Sequence, residues 1–470
     1  MTKMKIQNAH GKNQINEIDI TNDTLTGRGG LAFILRYLDN IGIWNLFEQT
    51  IGHLRGSGKS KSITTTIRQI IISFIDGSDN SMKGFDRLRT SPEYAKVLEY
   101  DTEDLAGESM IRRFFRKFLG TKYFLLRPIL HHLFIWRLHI EKPKVIRLYI
   151  DTMVLDNDQA LIREGCNPTY KKVKGFQPLQ VHWGRYMIDM MFRSGEKHSN
   201  YGAGVSKCMS KLVNLIRTKY SADVPIIVNC DSGFLSDENF NKFESLRIHY
   251  IGMGKLYDYL YDQLQGIDLS TLPTIEGTKA SWAYYEFGSR FKNKEYTKFR
   301  KTIFTTLARE GEQTVLRGIR PDSFIHTNIG TNPLIDKKLI DSGHAHLLET
   351  AEIIRLAHSN GAEELNHRSI KDFMNSEHLP FKRFGMNAAY YSLMAIAHFL
   401  MEAYCQDVGS KIVPRRCYPK TYRRILIDFA AKIVRTSGKT ILKVTQTVWN
   451  QLKIQELWER CNHPIPLLIT

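Results

Sequence analysis

At Pro143 the apolar residues of this chain change their period, and that break constrains the fold more than any other feature. Before it, GLAFILRYLDNIGIWNLFEQTI and TTIRQIIISFI repeat apolar residues every three and four positions, the spacing of helices with one buried face. After it come short β-rich runs, KVIRLYID, MIDMMF, PIIVNCD and RIHYIGMG, with the helical stretch SKCMSKLVNLIRTKY ahead of PIIVNCD. Strands alternating with helices predict an α/β core. A helical region over 31–142 therefore leads into the first part of that core over 143–254.

The remaining segments follow the same kind of reading. Residues 1–30 are polar and predict an extended or loosely ordered lead-in. From 255 to 345, aromatic and Thr-rich runs such as SWAYYEF and YTKFRKTIFTTL predict a β-rich insertion. Helical character returns at HLLETAEIIRLA and holds over 346–404, and residues 405–470 predict a basic, helical C-terminal region. The stretch Tyr390–Tyr404 is strongly apolar, but Ser392, His398 and Glu402 interrupt it and it is too short for a bilayer, so it predicts a buried helix. The N-terminal MTKMKIQNAHGKNQ lacks the apolar core of a signal peptide. No membrane partner is expected.

With 42% apolar and 24% charged residues the chain can bury a substantial core, which excludes a disordered protein. Its formal charge of +18 attracts polyanions, of which nucleic acid is the commonest, the alternative being a merely basic surface. Six scattered cysteines without a C-x-x-C pair suggest neither a disulfide framework nor a structural zinc, as in a reducing cytoplasm.

Three acidic residues stand out by position. Asp151 closes the strand RLYID and Asp231 closes PIIVNCD, and strand C-terminal ends are where ligands and metals collect in α/β sheets. Singly, each is equally an aspartate that starts a turn. The third, Glu364, lies in NGAEELNHRSIKDF, where a helix would put Asn360, Glu364, His367 and Lys371 on one face. The ordinary alternative is a solvated face of mixed charge. Phosphodiester hydrolysis and strand transfer give a reason to group the three. These in-line displacements use two Mg²⁺ ions about 3.5–4 Å apart, and Mg²⁺ prefers carboxylate oxygens. No covalent nucleophile is required, and no convincing Ser/His/Asp or Cys/His arrangement is present.

At these residues the sequence resembles the DDE transposases of bacterial insertion sequences, in particular the transposase DDE domain group 1 family. YIDTMVLD resembles the first-aspartate strand and is followed by the family's Gly-x-Asn-Pro element at Gly165, Asn167 and Pro168. VNCDSGF resembles the second-aspartate strand. GAEELNHRSIKDFMNSEHLPFKRFGMN resembles the glutamate helix, with Glu-x6-Lys as Glu364 and Lys371 and Leu-Pro-Phe as Leu379, Pro380 and Phe381. FDRLRTSPEYAKVLEY and ESMIRRFF resemble the helical DNA-binding region. The resemblance implies an RNase H-like core with a β-rich insertion between Asp231 and Glu364. It implies that Asp151, Asp231 and Glu364 are catalytic and bind two Mg²⁺ ions, with Mn²⁺ able to substitute, and that Lys371 contacts phosphate. The family's Tyr-x2-Arg falls on Ala357 and Asn360, of which Asn360 can hydrogen-bond a phosphate without supplying charge. The implied protein is a nucleoid-associated cytoplasmic transposase that acts on terminal inverted repeats and target DNA, as a homodimer when DNA-bound. Two rivals share these features: a transposase-derived DNA-binding protein that no longer cuts, and a metal-dependent nuclease of the same fold.

Further cations are placed for DNA. In ESMIRRFFRKFL, Arg112, Arg113, Arg116 and Lys117 cluster on one helix anchored by Phe114, Phe115 and Phe118, with Ser109 as the expected N-cap. A helix-turn-helix-like unit and an ordinary basic amphipathic helix both fit. Arg415, Arg416, Lys420, Arg423 and Arg424 form a second basic patch suited to phosphates. Trp282 is either a base-stacking residue or a core tryptophan, and His182 and Trp183 read as structural.

Overall fold

A computed structural model of the chain describes residues 4–5, 17–55, 62–79, 81–159, 162–254, 258–276, 280–289, 298–308, 322–359, 361–414 and 417–467. Ahead of Pro143 the described elements are almost all helical, as the period predicts. Helix α1 (Gly30–Ile41) buries Leu31, Ile34, Leu35, Leu38 and Ile41, a continuous stripe along one face. Helix α2 (Ile63–Asp76) begins where the Ser62 hydroxyl accepts the Thr65 N–H at 3.0 Å. Helix α3 (Glu108–Arg116) starts two residues earlier than a Ser109 N-cap would dictate, with Gly107 at the N-cap. Its first N–H finds an acceptor in another helix: the Asp86 carboxylate takes the Glu108 N–H at 2.9 Å, and Ser109, inside the helix, is not the cap.

Beyond Pro143, β1 (Ile146–Thr152), β2 (Leu179–Trp183) and β3 (Tyr186–Met191) form an antiparallel meander. Helix α4 (Gly204–Lys219) leads to β4 (Ile226–Cys230), and helix α5 (Asp237–Ser245) leads to β5 (His249–Gly254). Strand β4 runs parallel to both β1 and β5, so the order is β3-β2-β1-β4-β5. Parallel neighbours need such helical crossovers. This is the mixed α/β sheet that the strand-helix alternation predicts.

The insertion continues that sheet. Strands β6 (Thr274–Glu276), β7 (Ser281–Ser289), β8 (Arg300–Leu307) and β9 (Ser323–Thr327) are antiparallel neighbours, and β9 pairs with β5, giving nine strands among the described residues. Ile227 and Ile251 of the core, Ile303 and Ile325 of the insertion, and Ile353, Ile354 and Ala357 of α6 (Thr350–His358) share one buried cluster.

Helix α7 (Gly361–Met374) precedes α8 (Phe384–Asp407), in which residues 385–404 are all buried. Helix α8 is the spine of the larger core. Tyr390 meets Phe74 of α2 with ring centroids 4.9 Å apart, and Tyr404 meets Tyr37 of α1 at 5.4 Å. Among the described residues no helix is long and apolar enough to cross a membrane.

The C-terminal region is helical as expected at Pro419–Leu426, Gln446–Gln451 and Ile454–Asn462, but it also carries a hairpin. After α9 (Pro419–Leu426) comes a hairpin of Ala431–Thr436 and Lys439–Lys443, and Ala431–Thr436 also pairs with Thr24–Thr26 of the lead-in. The cause is local. Ser437 and Gly438 both have positive φ, 48° and 75°, the two-residue turn whose twist suits a hairpin.

Candidate active site

Asp151 and Asp231 are brought together by strand pairing. Ile150 of β1 is in register with Cys230 of β4, so the next residue on each neighbouring strand is one of the aspartates. Adjacent strands lie about 4.8 Å apart. The half-buried Asp151 accepts the Thr152 N–H on Oδ1 at 2.6 Å. Burial, and next the negative charge of Asp231, push its carboxyl up to about 7, against weaker pulls from the Thr152 N–H and Lys171. Asp231 is exposed and opens the turn Ser232–Phe234, its Oδ1 accepting the Gly233 N–H at 2.8 Å. Two carboxylates facing each other at strand ends suit a divalent cation between them, and an all-oxygen pair suits a hard one.

The third expected carboxylate sits on α7. Residue 364 lies in the helical backbone, but the side chain of Glu364 and the whole of Asn360 lie outside the described residues. Among the described residues no three His, Cys, Asp or Glu side chains stand at metal-ligand spacing. The helix itself is firmly held. Asn366 donates to the Gly184 carbonyl at 2.9 Å, Ser369 and His398 are hydrogen-bonded at 3.0 Å, and Ile370 and Phe373 are buried. His367 then places Nε2 3.5 Å from Asp151 Oδ2. Residue 364 lies one turn earlier, three positions from His367, and so near the same face. Burial, with help from Lys371 and Lys171, lowers His367 to about 4, so its contact with Asp151 is no ion pair at neutral pH. The sequence puts His367 on the expected face; only the fold reveals its partner.

Lys371 pairs with Glu377, Nζ to Oε1 at 2.8 Å, and Glu377 Oε2 accepts the Asp156 N–H at 3.2 Å. Nearby, the buried Asn157 ties the exit of β1 to the segment after α7. Its Oδ1 accepts the Leu379 N–H at 2.9 Å and its Nδ2 donates to the Glu377 carbonyl at 3.0 Å. Sequence reasoning missed this clamp, because an asparagine six residues past an aspartate carries no signal of a partner more than two hundred positions away.

Ala357 is 1% exposed and packs in the second core. Trp282 stacks on His358 with centroids 3.8 Å apart and planes within 3°, while His358 Nε2 meets the Thr305 hydroxyl at 3.1 Å. That ring is engaged in packing the insertion against α6.

The expected DNA-facing cations divide. Arg113, Arg116 and Arg424 are exposed. Arg112 bonds Glu108 at 2.7 Å and lies over the Phe381 ring, and Lys117 donates to the Leu54 carbonyl at 2.8 Å. Phe114, Phe115 and Phe118 are buried. Arg423 is a correction to the surface patch: it is 7% exposed and donates to the carbonyls of Phe74 and Ile75 at 2.8 Å and of Phe373 at 2.9 Å. These are end carbonyls of α2 and α7, which lack helical partners, so Arg423 clamps two helix ends inside the protein. Arg415 and Arg416 lie outside the described residues.

Among solved structures, the chain is similar to the piggyBac transposase in a cryo-EM structure of its synaptic complex with hairpin DNA. The identity is 13% and the TM-score 0.38, over 85% of this chain and 79% of that one. No curated protein matches the chain. The profile of the family described as transposase DDE domain group 1 matches residues 9–463, nearly the whole sequence. The chain belongs to the transposase DDE domain group 1 family.

Proposed function

We propose that this transposase cuts DNA at the terminal inverted repeats of its own mobile element and joins the freed ends to a target. In this reading Asp151, Asp231 and Glu364 hold two divalent cations. The observation that carries it is the convergence of Asp151 and Asp231 at the ends of adjacent parallel strands, with α7 delivering His367 to Asp151. When bound, a pair of Mg²⁺ or Mn²⁺ ions supplies activation of the attacking oxygen and stabilisation of the leaving one. The protein's own part is to aim the carboxylates. The Thr152 and Gly233 N–H groups each hold one oxygen of an aspartate, which fixes the direction of the other. Exposed Arg113, Arg116 and Arg424 would bind phosphates, as would Lys371 once released from Glu377, and Asn360 by hydrogen bonding. Arg112 and Lys117, engaged internally, would add to the local field. Two copies would bring two DNA ends together as a homodimer on double-stranded DNA.

A second reading draws on Ala357, which occupies a core position and offers no hydroxyl to DNA: a descendant that binds the repeats without cutting. One assay separates the readings. Purified protein is incubated with a repeat-ended fragment and Mg²⁺. Cleavage at the ends with joining supports transposition, cutting alone supports a nuclease, and a shifted band without cutting supports the binding-only descendant. Asp231→Ala is expected to abolish cleavage and keep the band shift. Full activity in that variant removes Asp231 from the site.

A further inference from the structure

The Gly165, Asn167 and Pro168 element contributes nothing to the paired carboxylates, yet it builds a second, smaller sheet beside them. Its three short strands are Leu155–Asp156, which continues the chain beyond β1, Asn167–Pro168 and Lys174–Phe176. The base of this sheet is tightly fixed. A Cβ on Gly175 would stand 2.0 Å from the Leu155 carbonyl oxygen, so the strands approach closer than any side chain permits. Asn167 donates to Glu196 at 2.5 Å, and the Lys174 N–H donates to Asp158 at 3.0 Å. The Thr169 N–H and hydroxyl both bond the Val173 carbonyl at 2.9 Å.

The tip that this base carries is different in kind. Tyr170 is 63% exposed, and Lys171, Lys172 and Lys174 are exposed with it. The turn is closed by the Lys172 N–H on the Thr169 carbonyl at 2.9 Å, with Lys172 at φ 61°. Lys171 Nζ lies 5.9 Å from the Tyr170 ring centre. The tip is tied to the site by its own strands, because Lys174–Phe176 pairs with Leu155–Asp156, which follows Asp151 and the end of β1 in the chain. After burial, the charges of Asp151 and Asp231 are what act on the Tyr170 hydroxyl, and Lys171 acts in turn on Asp151 and His367. An exposed ring with three cations on a rigid stalk buries little surface and so adds little to the core. Its chemistry matches a nucleotide, whose base offers a face for stacking and whose phosphate takes a cation. It also offsets the repulsion that two aspartates exert on a polyanion.

We infer that the Tyr170–Lys172 tip positions the DNA substrate, Tyr170 stacking on a base beside the scissile phosphate and Lys171 binding an adjoining phosphate. The inference rests on the DNA-cleavage reading above and deepens it.

The test compares the parent chain with Tyr170→Ala, Tyr170→Phe and Lys171→Gln. The substrate is a duplex bearing the repeats that flank its gene, with 2-aminopurine beside the cleavage position mapped using the parent. The parent and Tyr170→Phe are expected to quench the probe on binding. Tyr170→Ala is expected to lose the quench and raise KM roughly 5- to 150-fold, with kcat little changed. Lys171→Gln is expected to reduce the slope of log affinity against log salt by about 0.9. All three variants should melt with the parent, since the tip lies outside the core. Unchanged quench, KM and salt slope, in variants of a parent that cuts, overturn the inference and leave the cleavage reading standing. A parent that neither binds nor cuts the duplex overturns both.

Discussion

Arg423 and Arg424 are adjacent in YRRIL and have opposite surroundings. The guanidinium of Arg423 is buried against the end carbonyls of two helices, whereas Arg424 faces solvent. Replacing Arg423 by Met leaves those carbonyls without a donor, and the expected loss is about 2–4 kcal/mol of stability, read by urea unfolding. Arg424→Ala is expected to stay within about 0.5 kcal/mol and to weaken DNA binding instead. An unfolding midpoint that moves equally in both variants would show that the burial of Arg423 does not matter. The difference was partly legible. Helical spacing puts Tyr422, Arg423 and Leu426 on the inner face of α9, but a run of basic residues reads first as a phosphate-binding surface.

Among elements, the clearest coupling is between the exit of β1 and the segment after α7. The Asn157 amide bridges the two through Leu379 and Glu377, on the chain leaving α7, whose His367 meets Asp151. Asn157→Ala is expected to cost about 1–3 kcal/mol of stability. Misplacement of catalytic groups should also lower the cleavage rate roughly ten- to a hundredfold below the melting temperature. A rate unchanged at a temperature where the variant is folded would separate the clamp from catalysis. The strands that carry Asp151 and Asp231 could be read directly, because apolar runs ending in aspartate are a local signal. The pairing of Ile150 with Cys230, the Asn157 clamp and the pairing of Ala431–Thr436 with Thr24–Thr26 join distant positions, which periodicity does not encode. The Ser437–Gly438 turn was legible in principle, as a two-residue turn between alternating runs, but the basic composition of the region outweighed it.

Helix α8 joins the N-terminal helices and the mixed sheet in one core, and neutral histidines are buried both there and where the insertion packs. Burial lowers His326 to about 3, His358 to about 4 and His398 to about 3, and it lowers His182 well below its ordinary value of 6.5. The unfolded chain therefore binds more protons than the native one below about pH 6.5, and native stability falls as the pH drops from there towards 4. Glu402 works in the opposite sense. Burial raises its carboxyl from 4.5 to about 7 against the pull of Arg185, so the native form holds its proton and stability falls as the pH rises across that window. Asp151, raised to about 7, and Asp39, raised by burial, act in the same sense as Glu402, but with His367, lowered to about 4, the histidines outnumber these carboxyls, and each net proton is worth about 1.4 kcal/mol per pH unit. Urea midpoints should therefore fall from pH 6.5 to pH 5, and fall further in Glu402→Gln, which lacks one of the opposing groups. A midpoint that rises on acidification would contradict this balance.

Asp151, Asp231 and Glu364 are proposed to hold two cations between them. Anomalous diffraction from crystals of the protein soaked in Mn²⁺ reads those positions. Two peaks about 3.5–4 Å apart are expected, in contact with the carboxylates of Asp151, Asp231 and Glu364. No peak at Asp231, or a Glu364 carboxylate more than about 10 Å from both aspartates, would contradict it.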